Sequence, residues 1–157
     1  MTRSCPHPEG SVLKVSILAH SDYDGMASAA LVLGYLRDFY ELDPDTVGLE
    51  LVDYSEETRW RTQRIVADDV LPIICDFLYH PTAFAYWDHH STSFLTPAYR
   101  ADYDGRAPCY SRHDPTYKSC ASLIYNQLRG TWLEQLKYRD LVQSADKIDS
   151  AGYSSPA

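Results

Sequence analysis

The stretch VLKVSILA at residues 12–19, followed by HSDYDG at 20–25 and MASAALVLGYL at 26–36, decides the fold class. The first segment is mostly apolar and β-branched, too short for an ordinary helix, and stops at a polar loop, which predicts a buried strand. From Met26 the period becomes helical, with Met26, Ala29, Ala30, Leu33, Leu36 and Tyr40 along one face and Arg37, Asp38 and Glu41 off it. Strand, loop and helix in that order open an α/β unit.

The pattern then recurs. Val47, Leu49 and Leu51 alternate with Gly48 and Glu50 as in a half-buried strand, and residues 56–66 are polar enough for a surface helix. VLPIIC at 70–75 and AFAYW at 83–87 are two more short apolar runs, each ending at an acid, Asp76 and Asp88. Such alternation predicts an α/β fold with a mostly parallel sheet and helices on both faces, whose ligands sit beyond the carboxyl ends of the strands. Residues 77–82 are too few for a crossover helix, so a single turn or a tight loop is expected there. Residues 101–117, rich in Asp, Gly, Pro and Arg, read as a surface loop, 119–129 as a helix, and 131 to about 149 as another. The expected organisation is a tail at 1–11 and one domain at 12–153.

Composition narrows the function. The chain has 157 residues, 45% hydrophobic and 23% charged, as for a single globular domain. A formal net charge of -8 argues against duplex DNA as a partner, because affinity for a polyanion rests on Lys and Arg. Acidic side chains serve a phosphate ligand only if they hold divalent cations, which reverse the local field. No apolar run reaches the length of a membrane span and residues 1–10 lack the apolar run of a signal peptide, so a soluble, cytoplasmic chain without a membrane partner is expected. Cysteines 5, 75, 109 and 120 form no CxxC pair, which speaks for reduced thiols over a zinc knuckle or a disulfide scaffold.

Two clusters carry the chemistry. HSDYDG sets His20, Asp22 and Asp24 at alternating positions just past the first strand, a ligand set that hard divalent cations favour. Gly25 is expected to let the backbone turn sharply into a helix whose free N–H groups face an anion. A calcium loop of EF-hand type is the nearest competitor, but its twelfth position counted from His20 is Leu31 instead of Glu. The bland reading is that Asp22 and Asp24 cap the helix and His20 is a core histidine. The second cluster, Asp88-His89-His90, follows a strand and by itself reads as an exposed loop. Asp76 ends the strand before it, so three strand ends converge, as a two-metal phosphoryl-transfer site requires.

HSDYDG, then CDF (75–77), DHH (88–90) and ADKID (145–149) resemble, in order, the four motifs of the DHH phosphoesterase superfamily, and the likeness spans residues 12 to about 153. That resemblance implies a two-metal centre in which His20 and Asp22 bind one ion, Asp24, His89 and Asp146 the other, and Asp76 bridges them. Asp149, three residues along the same helix, is the alternative to Asp146. It further implies that His90 faces the substrate phosphate, that Asp88 orients a histidine, and that Mn2+ is the metal, with Mg2+ or Co2+ as substitutes. The implied activity is hydrolysis of a phosphodiester or phosphoanhydride in a short single-stranded oligonucleotide or small nucleotide, by a monomer or a homodimer. Phosphodiesterases of this superfamily carry a second, C-terminal substrate-binding domain, which these 157 residues are not expected to contain. A non-catalytic metal- or nucleotide-binding domain is therefore the rival reading, and a purely structural module a third. His7, His80 and His113 read as exposed loop residues, Arg112 and His113 as candidates to approach a phosphate, and most of the thirteen tyrosines as packing.

Overall fold

A computed structural model describes residues 14–61, 64–105, 111–129 and 133–152. The tail, the first two residues of the expected strand at 12–13 and the start of the last helix at 131 lie outside them. The fold is α/β. Strands β1 (Lys14–His20), β2 (Val47–Val52), β3 (Val70–Cys75), β4 (Ala85–Asp88) and β5 (Ser111–His113) form one sheet in the order β2-β1-β3-β4-β5. Every pairing is parallel. The chain runs from β1 outward to β2 and then returns past β1 to β3, so the connections diverge at the β1/β3 boundary. In open parallel sheets that divergence opens the crevice where ligands bind.

Alternation along the strands divides two cores. Val15, Ile17, Ala19, Ile73, Cys75, Ala85 and Trp87 face helices α1 (Tyr23–Tyr40), α4 (Cys120–Gln127) and α5 (Arg139–Asp149). Leu18, Ile74 and Tyr86 face the opposite side, covered by Trp60 of α2 (Glu57–Arg61), by Phe77, Leu78 and Tyr79 from the β3–β4 connection, and by Tyr99 and Tyr103 of α3 (Pro97–Gly105). That connection contains no helix, as its length predicts. It covers the sheet with side chains instead, and the Trp60 indole N–H donates to Leu78 O at 2.6 Å.

Five expectations need correction. Residues 101–117 are not one loop: α3 extends to Gly105, and β5 adds an edge strand that borrows the Ser111 hydroxyl to accept from the Tyr86 N–H at 3.1 Å. The 56–66 helix shrinks to α2 after a single 3-10 turn at Tyr54–Glu56, and the helix expected from 131 begins in its described part as a 3-10 turn, Leu133–Tyr138, before α5. On the expected face of α1, Ala29 and Leu36 are buried and Leu33 and Tyr40 pack against the core, but Met26 is 46% exposed, and Ala27, Ser28, Leu31 and Tyr35 are buried as well, because α1 packs against α4 and α5 as well as the sheet. Leu49 and Leu51 are exposed, since β2 is an edge strand and α1 packs chiefly over β1. Among the described residues, no helix is long and apolar enough to cross a membrane.

Candidate metal centre

With Ala19 opposite Cys75 and Cys75 opposite Trp87, the residues that follow them, His20, Asp76 and Asp88, leave three adjacent strands at one level. Asp76 stands in the middle. Its backbone is left-handed (φ 57°), a region that Asp and Asn tolerate better than other non-glycine residues, and its N–H donates to Trp87 O at 2.8 Å. The side chain is fully buried, and neither carboxylate oxygen has a hydrogen-bond partner. Burial, reinforced by the carboxylates of Asp24, Asp88, Asp22 and Asp149, pushes its pKa up to about 11. A buried carboxylate with no donor is costly, and a bound cation is one of few ways to satisfy it.

His20 and Asp22 flank it on the β1 side. Asp22 is the N-cap of α1: one oxygen accepts from the Gly25 N–H at 2.9 Å, while the other lies 2.7 Å from His20 Nδ1. The capping reading is thus realised at Asp22 without removing its carboxylate from the cluster. His20 Nδ1 is also 4.0 Å from Asp76 Oδ2. Gly25 does not make a left-handed turn; it sits inside α1, where a Cβ would lie 2.1 Å from the His20 carbonyl oxygen. Its role is close approach of the helix to the end of β1.

Asp24, in the first turn of α1, is buried and reaches the start of α4, accepting from the N–H groups of Cys120 at 2.6 Å and Ala121 at 2.9 Å. Burial raises its pKa to about 6 against the pull of those two bonds. His89 stands between the acids: its Nε2 is 3.5 Å from Asp24, 3.6 Å from Asp76 and 3.3 Å from Asp149. On the far side of the ring Nδ1 faces the Tyr117 carbonyl at 3.2 Å. A carbonyl can only accept, so Nδ1 carries a proton, and in the neutral ring the lone pair is then on Nε2. That is the tautomer in which an imidazole coordinates a metal. Nε2 is buried and has no hydrogen-bond partner.

His90 is held differently. Its Nδ1 meets Asp88 Oδ1 at 2.9 Å, and this bond raises its pKa. Asp88 also accepts from the N–H groups of His89 and His90 at 2.8 and 3.2 Å, from the Tyr86 hydroxyl at 3.0 Å and from Ser93 Oγ. With both oxygens occupied, Asp88 shapes the loop and orients His90. His90 Nδ1 lies 3.5 Å from Asp76 as well, and the His113 ring bonds the His90 carbonyl at 2.7 Å.

Three sets of side chains bring ligand atoms within 4.8 Å of one another: His20, Asp22 and Asp76; Asp24, His89 and Asp149; and Asp76, His89 and His90. Asp146 belongs to none of them. Its carboxylate accepts from Ser119 Oγ at 2.6 Å, supporting the start of α4, and Asp149 closes the second set in its place. Other sequence expectations fall away. His80 is buried, bonded to Thr82 Oγ1 at 2.8 Å and packed on Trp60 and Tyr99, while Arg112 pairs with Asp114 at 2.8 Å and lies over Tyr117. Cys75 and Cys120 are free and buried; Cys5, His7 and Cys109 lie outside the described residues. His113, expected in an exposed loop or near a phosphate, lies in β5 with its ring on the His90 carbonyl. Tyr117, Ser93 and Ser119 were missed, because each acts through a backbone group or a neighbour's carboxylate and bears no spacing signal. Comparison with protein-family models, curated proteins and solved structures finds no match for this chain.

Proposed function

We propose that this chain is a metal-dependent phosphoesterase domain of DHH type, holding two divalent cations, Mn2+ by preference, and hydrolysing a phosphodiester or phosphoanhydride in a short oligonucleotide or small nucleotide. The observation that carries the reading is Asp76: a fully buried carboxylate, both oxygens without a hydrogen-bond partner, and a member of two of the three ligand sets. The carboxylates suit a hard divalent cation, and the preference for Mn2+ comes from the resemblance of the motifs. His20 and Asp22 would hold one ion, Asp24, His89 and Asp149 the other, and Asp76 both.

Bound cations supply Lewis acidity to the phosphoryl oxygens and make a water molecule acidic enough to attack at neutral pH. The chain does the rest. Tyr117 keeps His89 in its coordinating tautomer, and the two α4 N–H groups hold the Asp24 carboxylate in place. Asp88 anchors His90 through Nδ1, leaving Nε2 to donate to a phosphoryl oxygen as charge develops there. A cytoplasmic location belongs to the same reading.

The test is Mn2+ stoichiometry by elemental analysis, with hydrolysis of a dinucleotide and of pyrophosphate, on wild type and Asp76→Asn. Two ions per chain and turnover in the wild type, with both lost in the variant, are expected. Two bound ions without turnover of either substrate would favour a non-catalytic binding domain. Unchanged metal content in Asp76→Asn would remove the bridging role.

A further inference from the structure

The tyrosine beside His20 has no part in the ligand sets, and its position is set by the fold. The Val52 carbonyl accepts from the Ser21 N–H at 2.9 Å, so β2 stays paired to β1 one residue past His20, whose Cα partner is Val52. Asp53 then caps a 3-10 turn, accepting from the Ser55 N–H at 2.7 Å, and this turn places Tyr54 over the end of β1. Its ring packs edge-on to the His20 imidazole at 5.3 Å and tilted against Phe77 at 5.4 Å, so it touches the last residue of β1 and the second residue past β3. Packing on one side leaves the other open: Tyr54 is 52% exposed. Among the described residues nothing hydrogen-bonds its hydroxyl. A tyrosine phenol carries its proton at neutral pH, so the hydroxyl is a donor.

Resting on the phosphoesterase reading above, we propose that Tyr54 is a substrate-contacting residue, its phenol O–H donating to a non-bridging oxygen of the phosphoryl group held at the metal centre. Every acid in the site repels that anion, so a neutral donor carried on a rigid ring is the group the site otherwise lacks at its β2 side. The ring is preorganised by His20 and Phe77, so little freedom is lost when the bond forms. A free phosphate ion and the phosphoryl group of an ester or anhydride share the chemistry recognised.

The experiment uses Mn2+ and inorganic phosphate as separate probes, on wild type, Tyr54→Phe and His20→Ala. Mn2+ is titrated first by calorimetry, then phosphate is titrated into the Mn2+-loaded proteins. Tyr54→Phe keeps the ring and its packing, so it should bind Mn2+ as wild type does and bind phosphate about tenfold more weakly, as for a lost hydrogen bond to a charged group. Turnover should fall with it, in kcat more than in KM if the bond strengthens in the transition state. His20→Ala should lose metal, which separates a ligand from a donor. Tyr54→Phe with wild-type phosphate affinity and rate overturns the proposal while leaving the phosphoesterase reading in place. Wild-type protein that takes up no Mn2+ overturns both, and the first titration alone reveals it.

Discussion

The two ends of the sheet treat carboxylates in opposite ways. At the amino end Asp69 meets Lys14 at 2.6 Å, and along the flank Glu50 takes Arg59. Those acids are partly or largely exposed and each has a cation. At the carboxyl end Asp22, Asp24, Asp76, Asp88 and Asp149 crowd together with histidines, and among the described residues no Lys or Arg pairs with any of them. The net charge of -8 is thus not spread evenly: part of it is concentrated where, among the described residues, the fold supplies no Lys or Arg. On the function proposed above, a cation from outside the chain would meet that charge.

The strongest way to break the contrast is to add or remove that cation. Saturating Mn2+ should stabilise the protein by about 3–4 kcal/mol for each occupied site at 100 to 1,000 times Kd, and EDTA should reverse it. The pH dependence should invert as well. Asp76 and Asp24 have folded pKa values raised to about 11 and about 6 from 3.8, so in EDTA the folded state binds more protons than the unfolded chain above about pH 4. Metal-free stability should therefore fall as pH rises from 4 through neutrality, most steeply up to 6, where both groups contribute. With Mn2+, which competes with protons for the same oxygens, stability should rise over that range. Urea midpoints at pH 5 and pH 8, with EDTA and with Mn2+, decide it. Four midpoints with the same trend in both conditions would mean that the acids at the carboxyl end are not a cation site.

Smaller in effect, but sharper about roles, is the histidine pair. His89→Ala should empty one metal position, while His90→Ala should retain both ions and slow hydrolysis about a hundredfold, as for a lost transition-state donor. Parallel metal analysis and initial rates separate them; loss of metal in His90→Ala would place it among the ligands, with Asp76 and His89. Smallest of all is the amino end. Asp69→Asn should leave the unfolding free energy unchanged within the error of a urea titration, because an exposed ion pair contributes little. A measurable loss would mean that the two ends differ less than their burial implies.

Much of this arrangement was legible in the residues. β1, β3 and β4 are apolar runs that stop at His20, Asp76 and Asp88, and a parallel sheet brings such ends together. β5 was not legible, because Ser111, Arg112 and His113 have no apolar pattern; the strand exists through pairing with β4. α3 left a faint signal in Tyr99 and Tyr103, one turn apart and both packed under the second face. The choice between Asp146 and Asp149 depends on how α5 is rotated against α1 and α4, which is a tertiary quantity. The bareness of Asp76 is likewise invisible in CDF, since it is a statement about every neighbour that does not reach it.

Gly25 carries a consequence for how the motif tolerates change. A Cβ there would meet the His20 carbonyl carbon at 2.7 Å and its oxygen at 2.1 Å, and both are backbone atoms that no rotamer change can move aside. In a library randomised across residues 20–25 and sorted only for folded protein in EDTA, position 25 should return glycine alone. Ser21, exposed and without a ligand's task, should accept many residues, and the acids should be freely replaced by their amides. Sorting the same library in Mn2+ for catalysis should then restrict His20, Asp22 and Asp24 as well. Under the first sort the motif reads as one glycine and under the second as four fixed letters, so the demands of the backbone and of the chemistry can be read separately from one stretch of chain.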